Sequence, residues 1–248
     1  MEILGALIAG GLIGAVLGFI GAGGAMLSVP ILLYIFNFSP AQATTASLAI
    51  VLSAAISGLI PKIKSKEVLF KEAWIIWGLG LVSNLGFSII SSQLPSLVIT
   101  TGFAIVLIAA GFAMLIKPIK GTEKKIPIYW LLIISFVIGS MTGLFGIGGG
   151  FLAIPVLVLF FKIPQGKAAG TSLAIITLNT TTAFFGHYQI WNEVTWSTPL
   201  AMSISAIVIA PLASMKSRNI DPTLLRKTFA YILFSISIFT LLESWFIN

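Results

Sequence analysis

The chain has 248 residues, 58% of them hydrophobic and only 8% charged, with a formal net charge of +7 and a mean hydropathy of +1.09. Soluble domains carry about a quarter charged residues, so this composition excludes a water-soluble fold. Its 14 Lys and Arg lie in short clusters between apolar runs, as cytoplasmic membrane loops require and a nucleic-acid-binding face does not, and the absence of cysteine excludes disulfides and thiolate metal sites.

A transmembrane helix needs about 20 apolar residues, which leaves room for about eight to ten helical passes and no separate soluble domain. Unbroken apolar stretches such as 97–116 and 130–138 exclude a β-barrel, whose strands alternate in polarity over about ten residues. In chain order the runs are 3–20, 25–37, 41–60, 73–93 and 97–116, then 127–145, 150–162, 166–186, 194–214 and 223–246. The first begins directly after Met1 and Glu2, with no positive n-region and no small-residue cleavage site, so it reads as a retained segment and not a signal peptide.

An offset of 125 residues reveals an internal repeat. Gly18, Gly21, Gly23, Gly24, Leu27, Pro30, Leu32 and Phe36 fall on Gly143, Gly146, Gly148, Gly149, Leu152, Pro155, Leu157 and Phe161. Ala43 and Ser47 to Ile50 then fall on Ala168 and Ser172 to Ile175, giving 13 identities over 33 ungapped positions. Leu and Ala matches are cheap in so apolar a chain, but coincident glycines and prolines are not. The chain therefore divides into a first repeat (1–117), a cytoplasmic linker (118–125) and a second repeat (126–248), each with five segments. In each the second segment is too short for a full span and is expected to form a broken or re-entrant hairpin with its predecessor, turning at the glycine cluster.

Charge orients the two halves. The first-half turns at 37–40 and 93–96 are uncharged, whereas 61–71 carries Lys62, Lys64, Lys66 and Lys71. Shifted by 125 the pattern inverts: Lys162 and Lys167, then no cation from His187 to Trp196, then Lys216, Arg218, Arg226 and Lys227. With the linker lysines 117, 120, 124 and 125 also inside, equivalent loops are expected on opposite sides. The fold class is thus an all-α polytopic membrane protein of two inverted five-segment repeats, an architecture common among secondary transporters, with both termini outside.

The clusters Gly18 to Gly24 and Gly143 to Gly150 weaken helix by about 1 kcal/mol per glycine relative to alanine and expose backbone N–H groups. Gly14, Gly18, Gly139 and Gly143 have the four-residue spacing of close helix packing. Gly21, Gly23, Gly24, Gly146, Gly148 and Gly149 break helix instead, and the half-helix beyond each break aims its positive dipole end at the gap, where an anion is the natural occupant. Thr44, Thr45, Ser47, Thr171 and Ser172 stand early in the helices that follow; their hydroxyls either donate to a ligand or cap and bridge helices. Asn84 and Asn179 lie within spans, where an amide needs partners, first of all in neighbouring helices. His187, beside Tyr188 and near Glu193, reads as an interfacial residue in a solvated loop, and Lys167 as an orienting charge. Trp74, Trp77, Trp191, Trp196 and Trp245 fit interfacial belts. No Asp or Glu lies mid-span, and no triad or metal-ligand set is present, so catalysis, a metal and a cofactor are not expected.

With Gly21-Ala-Gly-Gly-x5-Pro30 and Gly146-Ile-Gly-Gly-Gly-x4-Pro155, each followed by a Thr/Ser-Leu-Ala-Ile helix, the sequence resembles the sulfite exporter TauE/SafE family over nearly its whole length. The resemblance implies transport of a small sulfur-containing anion (sulfite, sulfoacetate or a related sulfonate) in a prokaryotic inner membrane. The first motif has Ala25 where the second has Gly150, so the halves need not contribute equally. Expected partners are the small anion, the lipid bilayer and a second copy of the chain as a homodimer, with no nucleic acid. The rival functions are a passive anion channel and a non-transporting membrane assembly subunit.

Overall fold

The computed structural model describes residues 2–91, 94–116, 127–145, 150–159, 161–243 and 245. Its helices follow the apolar runs. The first half contains α1 (Glu2–Ile20), α2 (Gly24–Pro30), α3 (Pro40–Lys64), α4 (Phe70–Ser91) and α5 (Ser96–Leu115). The second contains α6 (Ile128–Phe145), α7 (Gly150–Leu159), α8 (Gln165–Gly186), α9 (Ser197–Lys216) and α10 (Pro222–Leu242). Among the described residues there is no strand, and six helices (α1, α3, α5, α6, α9 and α10) are long and apolar enough to cross a membrane. The linker 118–125 lies outside the described residues.

Local sequence explains where the helices start. Ser39 and Gln42 form a reciprocal capping box around Pro40 at the start of α3. The Asp221 carboxylate accepts from Thr223 N at 2.8 Å, with Pro222 opening α10. α3 continues through Pro61 to Lys64, four residues beyond its apolar run. The short second segment of each half is confirmed: α2 has 7 residues and passes into a π-helical turn at Ile31–Ile35, and α7 has 10. Between α1 and α2 the chain reverses at Gly21 (φ 79°) and Gly23 (φ 87°), a left-handed backbone that side chains with a Cβ rarely adopt.

Equivalent segments share fine geometry. Asn37 and Lys162, 125 residues apart, both have positive φ (55° and 58°). Phe38 N donates to Leu32 O at 3.0 Å, and Ile163 N donates to Leu157 O at 3.0 Å. The helix pairing is exchanged in the same way. α1 packs on α9 as α6 packs on α4, α3 on α9 as α8 on α4, and α3 meets α8 as α5 meets α10. The closest packing therefore joins residues of the first repeat to residues of the second.

Two ends of the bundle follow from side-chain contacts. At one, Gln42 Nε2 donates to Glu193 O at 2.8 Å, and Trp245 Nε1 donates to Thr101 Oγ1 at 3.2 Å. At the other, Lys62 reaches Glu67 and Ser217, Leu69 N reaches Thr171, and Arg226 donates to Met114 O and Ile116 O. The second is the cationic end, holding Lys62, Lys64 and Lys216.

Gly10, Gly14 and Gly18 form the α1 side of the α1–α9 seam, against Met202, Ala206 and Ala210. A Cβ on Gly14 would stand 2.8 Å from Ala206 O and 2.9 Å from Ala206 Cα, and backbone cannot swing away as a side chain can. Gly14→Leu is expected to destabilise the protein by at least about 1–3 kcal/mol through overpacking. Gly78→Leu, where nothing lies within 4 Å of the added Cβ, should be neutral. Thermal unfolding of the two variants in detergent checks the difference.

Candidate functional site

A cavity of about 350 Å³ opens at the neutral end. Its walls come from the α2 hairpin (Pro30, Tyr34), the first turn of α3 (Ala41, Thr44), the start of α5 (Thr100, Phe103), the last residue of α6 (Phe145), His187 just past α8, and Thr240 near the end of α10. Most of this surface is apolar, with hydroxyls and one imidazole set into it. Thr240 is 3% exposed and its Oγ1 has no hydrogen-bond partner. A second cavity of similar volume, lined by residues such as Ile105, Met141 and Leu159 between α5, α6 and α7, presents no polar side chain except the thioether.

His187 is held by the helix equivalent to its own. Thr45 donates its hydroxyl proton to Ala41 O at 2.8 Å, which leaves Thr45 Oγ1 to accept from His187 Nδ1 at 3.1 Å. Burial pushes the imidazole below its ordinary pKa of 6.5. The sequence placed this residue in a solvated loop; the structure corrects that to a partly buried wall of the cavity.

Among the described residues, those singled out from sequence do not converge on one point. Thr44 lines the cavity, and Thr45 is one hydrogen bond away from it through His187. Gly21, Gly23 and Gly24 are buried at the α1–α2 break, nearer the cationic end. A Cβ on Gly21 would meet Ala169 at 2.6 Å, one on Gly24 would meet Leu17 at 2.7 Å, and one on Gly23 would enter the Phe229 ring. Their Cα faces are filled by protein. Gly146, Gly148 and Gly149 lie outside the described residues, and the cavity wall runs up to Leu144 and Phe145 directly before them.

The equivalent serines serve equivalent bonds. Ser47 pairs with Ser28 on α2, and Ser172 donates to Gly150 O on α7 at 2.7 Å, so each ties a central helix to the short helix before it. Thr171 donates to Lys167 O and accepts from Leu69 N at 3.0 Å. Asn84 and Asn179 are 0% and 1% exposed, and none of their four amide atoms has a partner; neither lines the cavity. Their expected role in bridging helices is not what the structure shows.

Sequence reasoning missed Lys62, treated as one charge of a solvated loop. It is 2% exposed, with its ammonium 3.0 Å from Glu67 and 3.2 Å from Ser217. The signal was present in the repeat: Lys62 and His187 are 125 positions apart, each at the C-terminal end of a central helix.

The profile of the family described as "Sulfite exporter TauE/SafE" matches residues 6–240. A "Probable membrane transporter protein" of Xylella fastidiosa (strain 9a5c) is 27% identical over 95% of this chain and 94% of its own length. The "Probable membrane transporter protein YunE" of Bacillus subtilis (strain 168) is 30% identical over 77% of this chain and 80% of its own. "Probable membrane transporter protein MJ0441" of Methanocaldococcus jannaschii is 35% identical over 44% of this chain and 43% of its own. No solved structure matches significantly. These relatives are named as transporters and not as enzymes, and a multi-pass helical bundle whose sequence carries the paired glycine motifs agrees with them: the chain belongs to the sulfite exporter TauE/SafE family of membrane transporters.

Proposed function

We propose that the chain exports a small sulfur-containing oxyanion (sulfite, sulfoacetate or a related sulfonate) across an inner membrane by alternating access between two inverted halves. The observation that carries this reading is the pair of orphan amides. Asn84 and Asn179 are buried within helices of a membrane protein with every amide atom unpartnered. Leaving such a group unsatisfied costs about 1–3 kcal/mol, and polar residues retained in spans at such cost mark solute pathways. An amide NH2 offers two donors to an oxyanion without adding charge, so a passing anion, or the water accompanying it, satisfies what the protein leaves open.

Three further features support the reading. The cavity with Thr44, Thr240 and His187 gives an exported anion a way out at the neutral end. The break between α1 and α2 leaves the backbone N–H groups of Gly23 and Gly24 as candidate donors, since packing occupies only their Cα faces and Gly21 N already donates to Leu17 O at 2.8 Å; Gly146, Gly148 and Gly149 are the matching glycines in the sequence of the second half. Inversion is supported by the matched turns at Asn37 and Lys162 and by the exchanged helix pairing. With the cationic end inside and both termini outside, an interior-negative potential drives anion exit by about 2.3 kcal/mol per charge per 100 mV.

Proteoliposomes loaded with sulfite, sulfate, thiosulfate or methanesulfonate test the reading. Saturable efflux with counterflow supports it; conductance without saturation indicates a channel, and no flux of any anion indicates an assembly subunit. Asn84→Leu and Asn179→Leu are each expected to lower flux at least about tenfold while leaving the melting temperature equal or higher, because an apolar replacement removes an unsatisfied buried group. Unchanged flux in both would take the amides out of the pathway.

The affinity for methanesulfonate, which stays fully ionised, should also depend on pH. The lowered pKa of His187 means that the fold favours the neutral ring. That contribution to stability is present above pH 6.5 and is lost as pH falls through 6.5 toward the depressed value. An anion beside the protonated ring offsets the loss, so binding is expected to tighten from pH 7.5 to about 5.5 in the parent and to stay flat in His187→Gln, as measured by calorimetry.

A further inference from the structure

At the cationic end, the position equivalent to the cavity is filled by the chain itself. Ala41, in the cavity wall at the start of α3, corresponds to Gly166 in the first turn of α8, and His187 corresponds to Lys62. A Cβ on Gly166 would lie 3.0 Å from Glu67 Oε1, so the Glu67 carboxylate rests against the beginning of α8. Its other oxygen accepts from Lys62 Nζ at 3.0 Å and from Ser65 Oγ at 3.4 Å, and Lys62 also donates to Ser217 Oγ at 3.2 Å. The chain reaches this place through a tight reversal: Lys66 has φ 57°, and Glu67 N donates to Lys62 O at 2.9 Å. Gly170 lets the loop settle fully, since a Cβ there would collide with Glu67 O.

This is the chemistry of an anion site. A buried ammonium, itself held by Ser217, and the Ser65 hydroxyl bond one oxygen of the carboxylate, and its other oxygen rests at the first turn of a 22-residue helix whose cap residue, Pro164, supplies no side-chain acceptor. Stability alone is a weak account of it, because a buried ion pair often does no better than apolar residues in the same volume.

We propose that Lys62, positioned by Ser217, and the N-terminus of α8 form a second anion site at the cationic end, in which the tethered Glu67 carboxylate holds the place of a small sulfonate-like oxyanion. Calling that oxyanion cargo rests on the transport reading above; the site itself does not. In this arrangement Glu67 both covers the site and keeps it charge-neutral until an anion displaces it, while the equivalent His187 faces an open cavity.

The chain has no cysteine, so Ser217→Cys supplies a single thiol beside Lys62. Its modification by two methanethiosulfonates of similar size, the anionic sulfonatoethyl and the cationic trimethylammonioethyl reagents, reads charge at the site. With Glu67 in place both should react slowly. Adding Glu67→Gln should speed the anionic reagent by at least about tenfold relative to the cationic one, since it leaves the ammonium uncompensated. Methanesulfonate should then slow the anionic reaction, and Lys62→Met on top of Glu67→Gln should erase the preference. Equal acceleration of both reagents would reduce the pair to a plain latch, and no acceleration would mean that Glu67 covers nothing; either result overturns the proposal. Glu67→Asp, shorter by one methylene and still charged, should show the same preference more weakly and carries the comparison if the Gln variant does not elute as a single folded species. If the parent moves no anion but the Ser217→Cys variants show this selectivity, the transport reading alone is overturned; if the parent transports and the variants lack it, the second site alone is.

Discussion

Where Gly10, Gly14 and Gly18 meet Met202, Ala206 and Ala210, two helices touch with almost no side chain between them. Lipid tails are as apolar as leucine, so burial of greasy surface cannot hold helices together inside a bilayer; close van der Waals contact and interhelical hydrogen bonds must. The α4–α6 seam uses the same device, with Gly80 against Ser135 O and Gly139 against Ser83. Because these two seams cross between the repeats, they fix each half against the other. The α3–α8 pair then lies between them, carrying the hydroxyl-rich early turns and, at opposite ends, Lys62 and His187.

The polar groups of the interior divide by what they can reach on their own helix. Thr142, Thr177, Thr180, Thr181 and Thr182 each donate to the carbonyl four residues earlier, at 2.6–3.1 Å. A hydroxyl folded back in this way is satisfied without a neighbour, and so α8 can carry a run of threonines through apolar surroundings. An asparagine amide has two donors and an acceptor and finds no such return bond here. That difference sets Asn84 and Asn179 apart from these threonines: Ser214, Ser237 and Thr240 each leave a single hydroxyl open, whereas in both asparagines the whole amide, nitrogen and oxygen, is without a partner.

Much of this was legible in the sequence. The offset of 125 located the short second segments, the glycine motif located the break at Gly21 and Gly23, and the cation clusters separated the two ends. The four-residue spacing that singled out Gly14, Gly18 and Gly139 identified packing glycines. Less legible was what depends on loops folding back. Lys62 sits in a lysine-rich turn that reads as solvated, and only the reversal at Lys66 brings Glu67 over it. His187 looks interfacial until Thr45, 142 positions away, is seen to hold it. The orphan state of the amides was not readable at all, since an unsatisfied group is defined by neighbours that no periodicity reveals.

The α1–α9 seam has a consequence for how the chain is made. α1 ends at Ile20 and its principal partner begins at Ser197. At about 5–20 residues per second, roughly 10–35 s separate the emergence of the two from the ribosome. Throughout that time the glycine face of α1 must lie against lipid or against a foreign helix. It offers a shallow groove that any passing small-residue helix in the bilayer fits, so the insertion machinery, or a chaperoning segment such as α3, has to shelter it until α9 arrives. Residues that matter for that interval are the ones whose substitution lowers the yield of inserted protein without changing the stability of the molecules that finish.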